Sequence, residues 1–411
     1  MQQPINKRAT MAICCAGFFT FGAITAAAGP ALSDLAEATG SSLASLGALF
    51  TAIFFGAFIA HLAAGPICDR VGPRPLTIVG LAIMAFGWLG VVSSPSLGLL
   101  LACAFVSGIG QGAIDIGINL TVAQVFAKRS AAALNLSNVF FGVGSFVEPA
   151  VVGLTLRMWN SAIPALWMGT ALLFLLLPLS FLLSSPARVA PIHNNALGGT
   201  NVYRSPLLWL LGALVLLYVG IEVGLGGWLT IYTERTTALD AATAALVTSG
   251  FWLALTAGRV IAAVIGGRVA PQTLLLACVT GSLIGAAMFV FGIGSAPLTI
   301  AAALMIGMSF GPIFPTAFAI TTSTFPYATG KAGGIIVSLG SLGGMLIPWF
   351  QGILLERNGP TAAMLLITVC AVGMLALFVA YRALGSGVND EGRTTKDRFW
   401  ILDCRFWTNT P

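Results

Sequence analysis

The chain has 411 residues, of which 57% are hydrophobic and only 8% charged, against about 25% charged in ordinary soluble domains. So few charges cannot solvate the surface of a large water-soluble core, which excludes a soluble enzyme. The apolar runs are too long and too continuous for a membrane barrel, which shows short alternating segments. The net charge of +6 does not indicate a nucleic-acid partner, because Lys and Arg sit singly or in pairs between apolar runs, as membrane topology signals do.

Runs of about 20 apolar residues, each long enough to span a bilayer, predict an all-α multi-pass membrane protein. Lys7 and Arg8 precede the first run, which is too long for a signal-peptide core and is read as a spanning helix. Turn signals and charges then divide the chain into twelve predicted helices: 9–30, 42–66, 75–93, 97–126, 132–156, 163–184, 206–231, 242–267, 271–292, 296–322, 332–355 and 360–384. With the N-terminus inside, eleven basic residues (Lys7, Arg8, Arg70, Arg74, Lys128, Arg129, Arg188, Arg204, Arg268, Lys331, Arg382) face the cytoplasm. Three (Arg157, Arg235, Arg357) face out. The positive-inside rule therefore predicts both termini cytoplasmic, in a plasma or bacterial inner membrane.

The longest polar interruption, Ser184 to Pro206, splits the helices six and six. Gly108, Gly112, Gly144, Pro149 and Gly153 recur 199 positions later as Gly307, Gly311, Gly343, Pro348 and Gly352. This predicts a duplicated six-helix unit with substrate bound between the halves: residues 1–184, a cytoplasmic central loop 185–206, and residues 207–384. The tail 385–411, with its repeated Arg-Phe-Trp, follows no helical period and is expected to be poorly ordered or interfacial.

The seven cysteines (Cys14, Cys15, Cys68, Cys103, Cys278, Cys370, Cys404) show no metal or redox spacing, so neither a metal nor a cofactor is expected. His193 lies in the central loop and reads as solvated. His61, inside helix 2, reads as a hydrogen-bonded packing residue or a functional group. No nucleophile–base pair and no phosphate-cradling loop is present, so the chain is not expected to be an enzyme or an ATPase. Its driving force must be an ion or substrate gradient.

Between helices 2 and 3, "GPICDRVGPRP" resembles the G-x-x-x-D-R-x-G-x-R loop of the major facilitator superfamily. Gly65, Asp69, Arg70, Gly72 and Arg74 stand at the family's spacing. The resemblance implies twelve helices in two pseudo-symmetric bundles and a loop that latches the cytoplasmic side; read from the residues alone, the arginines hold the loop inside. "AIDIGIN" on helix 4, "YVGIEVGLGGWL" on helix 7 and "GPIFPTAFAI" on helix 10 resemble the fucose permease group of sugar–cation symporters. That group's helix 1 carboxylate is missing here.

Three carboxylates and one cation lie within spans: Asp115, Glu148, Glu222 and Arg259. A charge at a helix centre costs roughly 2.5–3.5 kcal/mol in lipid, so these side chains are expected to face the bundle interior. Asp115 and Glu222 are expected to exchange the coupling ion across the two halves, with Glu148 as a third candidate or as a hydrogen-bonding group at the Pro149 kink. Arg259 either pairs with Asp115 or snorkels. Gln111, Asp115 and Asn119 share one face of helix 4; Asn138, Ser145 and Glu148 one face of helix 5; Thr248, Trp252 and Thr256 one face of helix 8. Phe310, Phe314 and Phe318 form a stripe on helix 10 that reads as packing or as a ring platform. Gln111, Asn119, Asn138, Tyr218, Trp228, Trp252 and Phe314 are the candidate substrate contacts. Together they predict symport of a small sugar-like solute with a cation, most simply a proton, by a monomer embedded in the bilayer. Drug or metabolite efflux and a non-transporting ligand sensor are the competing readings.

Overall fold

The computed structural model describes residues 6–126, 130–184, 202–265, 268–325 and 328–386. The expectations placed on Lys128, Arg129, Arg188, His193, Cys404, most of the central loop and the tail beyond Ser386 lie outside the described residues, as do the side chains of Gly65 and Asp69.

Twelve helices are long and apolar enough to cross a membrane: Lys7–Ala27, Leu43–Ala64, Pro73–Ser93, Leu97–Val125, Leu136–Trp159, Ile163–Ser180, Pro206–Thr236, Ala241–Ile265, Pro271–Phe291, Ala296–Thr324, Lys331–Arg357 and Pro360–Leu384. They are numbered 1 to 12 in chain order. Each keeps its backbone hydrogen bonds internal, which hydrocarbon demands. Several boundaries differ from expectation, and three of the differences have a local physical reason. Helix 7 runs to Thr236 instead of stopping near Ile231, because its polar end still closes backbone turns, with the Thr236 hydroxyl on the Tyr232 carbonyl at 2.7 Å. Helix 10 is broken between Phe310 and Ile313, where Pro312 lacks the N–H that would continue the ladder. The connection after helix 1 holds a short helix, Leu32–Thr39, closed by Gly40 at φ 62°, a left-handed cap that glycine adopts without strain.

The signature loop is built by Gly72. Its φ of 89° ends helix 2, its N–H donates to the Cys68 carbonyl at 2.7 Å, and Pro73 opens helix 3. Arg74 donates to the carbonyl of Phe181 at 2.7 Å, a favourable place for a cation because that carbonyl lies just past the end of helix 6.

The packing pattern repeats. Helix 4 packs on 2 and 3 as helix 10 packs on 8 and 9. Helix 1 packs on 5 and 6 as helix 7 packs on 11 and 12, and helix 3 meets 6 as helix 9 meets 12. The repeated glycines explain this physically. A Cβ on Gly108 would strike the Ile53 carbonyl, and one on Gly307 the Phe251 carbonyl. Gly112 and Gly311 likewise abut the carbonyls of Ala57 and Leu255, and Gly144 and Gly343 those of Phe19 and Leu216. Each glycine lets two helix backbones touch, as small residues do where apolar burial gives no driving force between helices in lipid.

Helix 5 packs on helix 8 and helix 2 on helix 11, joining the first six helices to the last six. The polar contacts that cross there sit toward the face carrying the loop between helices 1 and 2. Ala44 donates its N–H to Glu356 at 2.6 Å, Arg157 donates to the Thr243 hydroxyl at 3.2 Å, and the Thr51 hydroxyl donates to the Met345 carbonyl at 2.8 Å. On the same side Gly29 abuts Gly226 and Gly227, and Gly47 abuts Trp349. This face is closed.

Candidate substrate and coupling site

The helix 4 stripe forms as its spacing predicts. Asn119 donates its amide to Asp115 Oδ1 at 2.9 Å, one turn away. Gln111, one turn in the other direction, is buried with its amide nitrogen lacking an acceptor. The second carboxylate oxygen of Asp115 faces His61 on helix 2, with Nε2–Oδ2 at 3.4 Å. Neither ring nitrogen of His61 makes a hydrogen bond. His61 is thus a site residue that spacing along one helix could not reveal, since its partner comes from another helix.

On the other half, Arg259 lies 3.5 Å from Glu222, their side chains 28% and 13% exposed. Asp115 therefore does not pair with Arg259, and Arg259 does not snorkel. Each acid faces a nitrogen-bearing side chain from a neighbouring helix of its own half, Asp115 the His61 ring and Glu222 the Arg259 guanidinium. Tyr218 sits beside the Arg259–Glu222 pair, close enough to interact with both yet not aligned for a hydrogen bond. Its ring packs edge-on to Phe310, 5.3 Å between centroids. His61, Asp115 and Arg259 each stand eighteen residues after the first residue of their spans, all of which are even-numbered helices and run in the same direction.

The remaining candidates separate. Trp252 is buried against Gly226 with its indole N–H lacking an acceptor. The Phe310 ring is buried in packing, whereas Phe314 and Phe318 stack on each other at 6.1 Å and remain partly exposed. Trp228 is fully buried, donates to the Pro348 carbonyl at 2.8 Å and packs against Phe50. In this conformation it seals the closed face and no solute can touch it. Asn138 is exposed, but its amide donates to the Leu134 carbonyl at 2.8 Å, and Ser145 is bonded to the backbone of helices 1 and 5. Glu148 stands apart from both pairs. Its carboxylate lies near Gly169 and the Trp88 indole in the core of helices 1, 3, 5 and 6, one oxygen without a partner. The helix 5 face therefore does not act as one lining surface. No cluster of metal ligands occurs among the described residues.

Known proteins align with this arrangement. The chain is 22% identical over 441 residues to sodium-dependent glucose transporter 1 of Danio rerio, covering 95% of this chain and 72% of that one. Its fold matches a nucleoside transporter with a TM-score of 0.76 at 13% identity, covering 92% and 99% of the two chains. It also matches the fucose:proton symporter of E. coli with a TM-score of 0.64 at 19% identity, covering 90% and 98%, in keeping with the likeness expected from helices 4, 7 and 10. The family pattern of the Major Facilitator Superfamily spans residues 13–348, and with twelve membrane-length helices packed as a repeated six-helix unit the chain belongs to that superfamily.

Proposed function

We propose that this protein carries a small sugar-like solute across the membrane together with a cation, by alternating access between residues 1–184 and 207–384. The observation that carries the reading is the polar stripe Gln111–Asp115–Asn119 in one half and the Glu222–Arg259 pair in the other, each within membrane-length helices. Sugar hydroxyls need amides and carboxylates that accept and donate, and sugar C–H faces need flat rings such as Trp252 and Phe314. The glucose, fucose and nucleoside carriers named among its relatives agree with a ring bearing hydroxyls. Asp115 is the carboxylate assigned to coupling, since a cation or proton must visit a group that is ionised in one state and neutralised in another.

The surplus of basic residues places the loop between helices 2 and 3 on the cytoplasmic side. The closed face is then external, and the molecule is inward-facing. Asp69, Arg70 and Arg74 would latch the cytoplasmic side in the opposite state.

Proteoliposome uptake of labelled D-glucose, L-fucose and uridine, with an imposed proton or sodium gradient, tests this. Saturable counterflow of a hexose and its gradient-driven accumulation support it. Extrusion of hydrophobic dyes without hexose counterflow would mean efflux, and saturable binding without counterflow would mean a sensor.

A further inference from the structure

The two halves carry nitrogen-bearing side chains at one equivalent position. Helix 4 touches helix 2 at Ile53 and Ala57, and helix 10 touches helix 8 at Phe251 and Leu255, through glycines that are themselves repeats. Both pairs of contacts set helix 8 in a register of 198 residues to helix 2. The same register carries His61 onto Arg259. Each of these side chains then takes a carboxylate, from helix 4 in the first half and from helix 7 in the second. One scaffold position thus holds a histidine in one half and an arginine in the other.

The chemistry of the two is different. Arginine stays protonated at any pH a cell meets, so Arg259 offers Glu222 a permanent counter-charge. Histidine is the side chain whose charge changes between about pH 5 and 8. Asp115 and His61 can therefore hold one proton or none between them. We propose that the His61–Asp115 pair holds the proton that moves with the solute, while Arg259 at the equivalent position keeps its charge throughout the cycle. This rests on the transport reading above and narrows it, making His61 a proton-carrying partner of Asp115 where helix 1 supplies no carboxylate.

The surroundings leave the pair to itself. Helix 2 packs on helices 3, 4 and 11. Arg74 of helix 3 is engaged with Phe181. On helix 11, Glu356 is bonded to Ala44 and Lys331 and Arg357 stand at the two ends. Helix 4 adds Cys103, in its second turn and near Gly90. Helices 1 and 5, which also pack on helix 4, bring Lys7, Arg8, Cys14, Cys15, Glu148 and Arg157. Among the described residues, Asp115 is the one acid within 4 Å of the His61 ring.

His61 is one of two histidines in the chain, so a protein with His193→Gln and 13C-labelled histidine gives a single ring resonance. In lipid nanodiscs that resonance is expected to move with pH. In Asp115→Asn its response to pH is expected to change, because the imidazolium loses its counter-charge. A resonance that stays fixed from pH 4 to 9, or moves at the same pH in both proteins, overturns the proposal. His61→Arg supplies the transport readout by copying the arginine of the other half. Proton-driven accumulation of D-glucose is expected to fall at least tenfold. Undiminished accumulation in this variant also overturns the proposal. If D-glucose fails even in the parent protein, the solute assignment falls, and the resonance still decides whether the pair shares a proton.

Discussion

Removing both members of the Arg259–Glu222 pair should cost less than the two single losses added together. At 3.5 Å and an effective dielectric of 20, two unit charges attract by about 5 kcal/mol. The side chains are only 28% and 13% exposed, and the cost of withdrawing both charges from water brings the net figure to about 2 kcal/mol. Glu222→Gln leaves the guanidinium without its counter-charge on an apolar helix, and Arg259→Gln leaves the carboxylate likewise. Each is expected to lower stability by about 2–3 kcal/mol, and the double variant to recover about 2 kcal/mol of the summed loss. Unfolding in mixed detergent micelles measures all four corners of the cycle. Losses that add to within about 0.5 kcal/mol would show that the two groups do not act as a pair and would refute the reasoning.

Three further outcomes follow from the packing. Gly144→Ala and Gly343→Ala each drive a Cβ into a facing backbone carbonyl and should destabilise by about 1–3 kcal/mol, in similar measure, whereas Gly98→Ala enters open space and should not, as thermal unfolding will report. Glu356→Ala with Arg157→Ala removes two polar contacts across the closed face. Spin labels at Glu37 and Ala238 should then show about a fivefold larger long-distance population, roughly the weight of one exposed hydrogen bond. The pH response of that distance is also fixed in sign. The Asp240 carboxyl is held below its ordinary range by the Thr243 hydroxyl, then by the Thr243 amide, with Arg157 adding to it. A depressed value means that the contribution is present above the ordinary value near 3.9 and is lost as pH falls through the lower folded value. The Asp240 contribution to that distance should stay constant from about pH 5 to 8 and be lost only in stronger acid.

The twelve helices were legible because lipid permits few other solutions for runs of that length, and the repeat because close backbone approach demands glycine at recurring places. Helix 7 was cut short because its polar end looked like a loop, although the turns after Ile231 remain hydrogen-bonded. The stripe through Asp115 was legible because i and i+4 share a face. Its partner was not, since periodicity within one helix is silent about which neighbour faces it. Asp115 met His61 rather than Arg259 for that reason. Trp228 read as a candidate substrate contact because a flat ring within a span suits the C–H face of a sugar, but its indole N–H has a partner in the protein. The partner is the Pro348 carbonyl, supplied by packing between helices.

Sugar-induced proton movement tests coupled transport most directly. In lightly buffered proteoliposomes without any imposed gradient, adding external D-glucose should make the medium more alkaline as protons enter with the sugar. Asp115→Asn should abolish that signal while keeping glucose counterflow, because the amide keeps the shape of the protonated acid and cannot cycle. An unchanged proton signal in Asp115→Asn, or glucose uptake in the parent protein with no alkalinisation, would contradict the account.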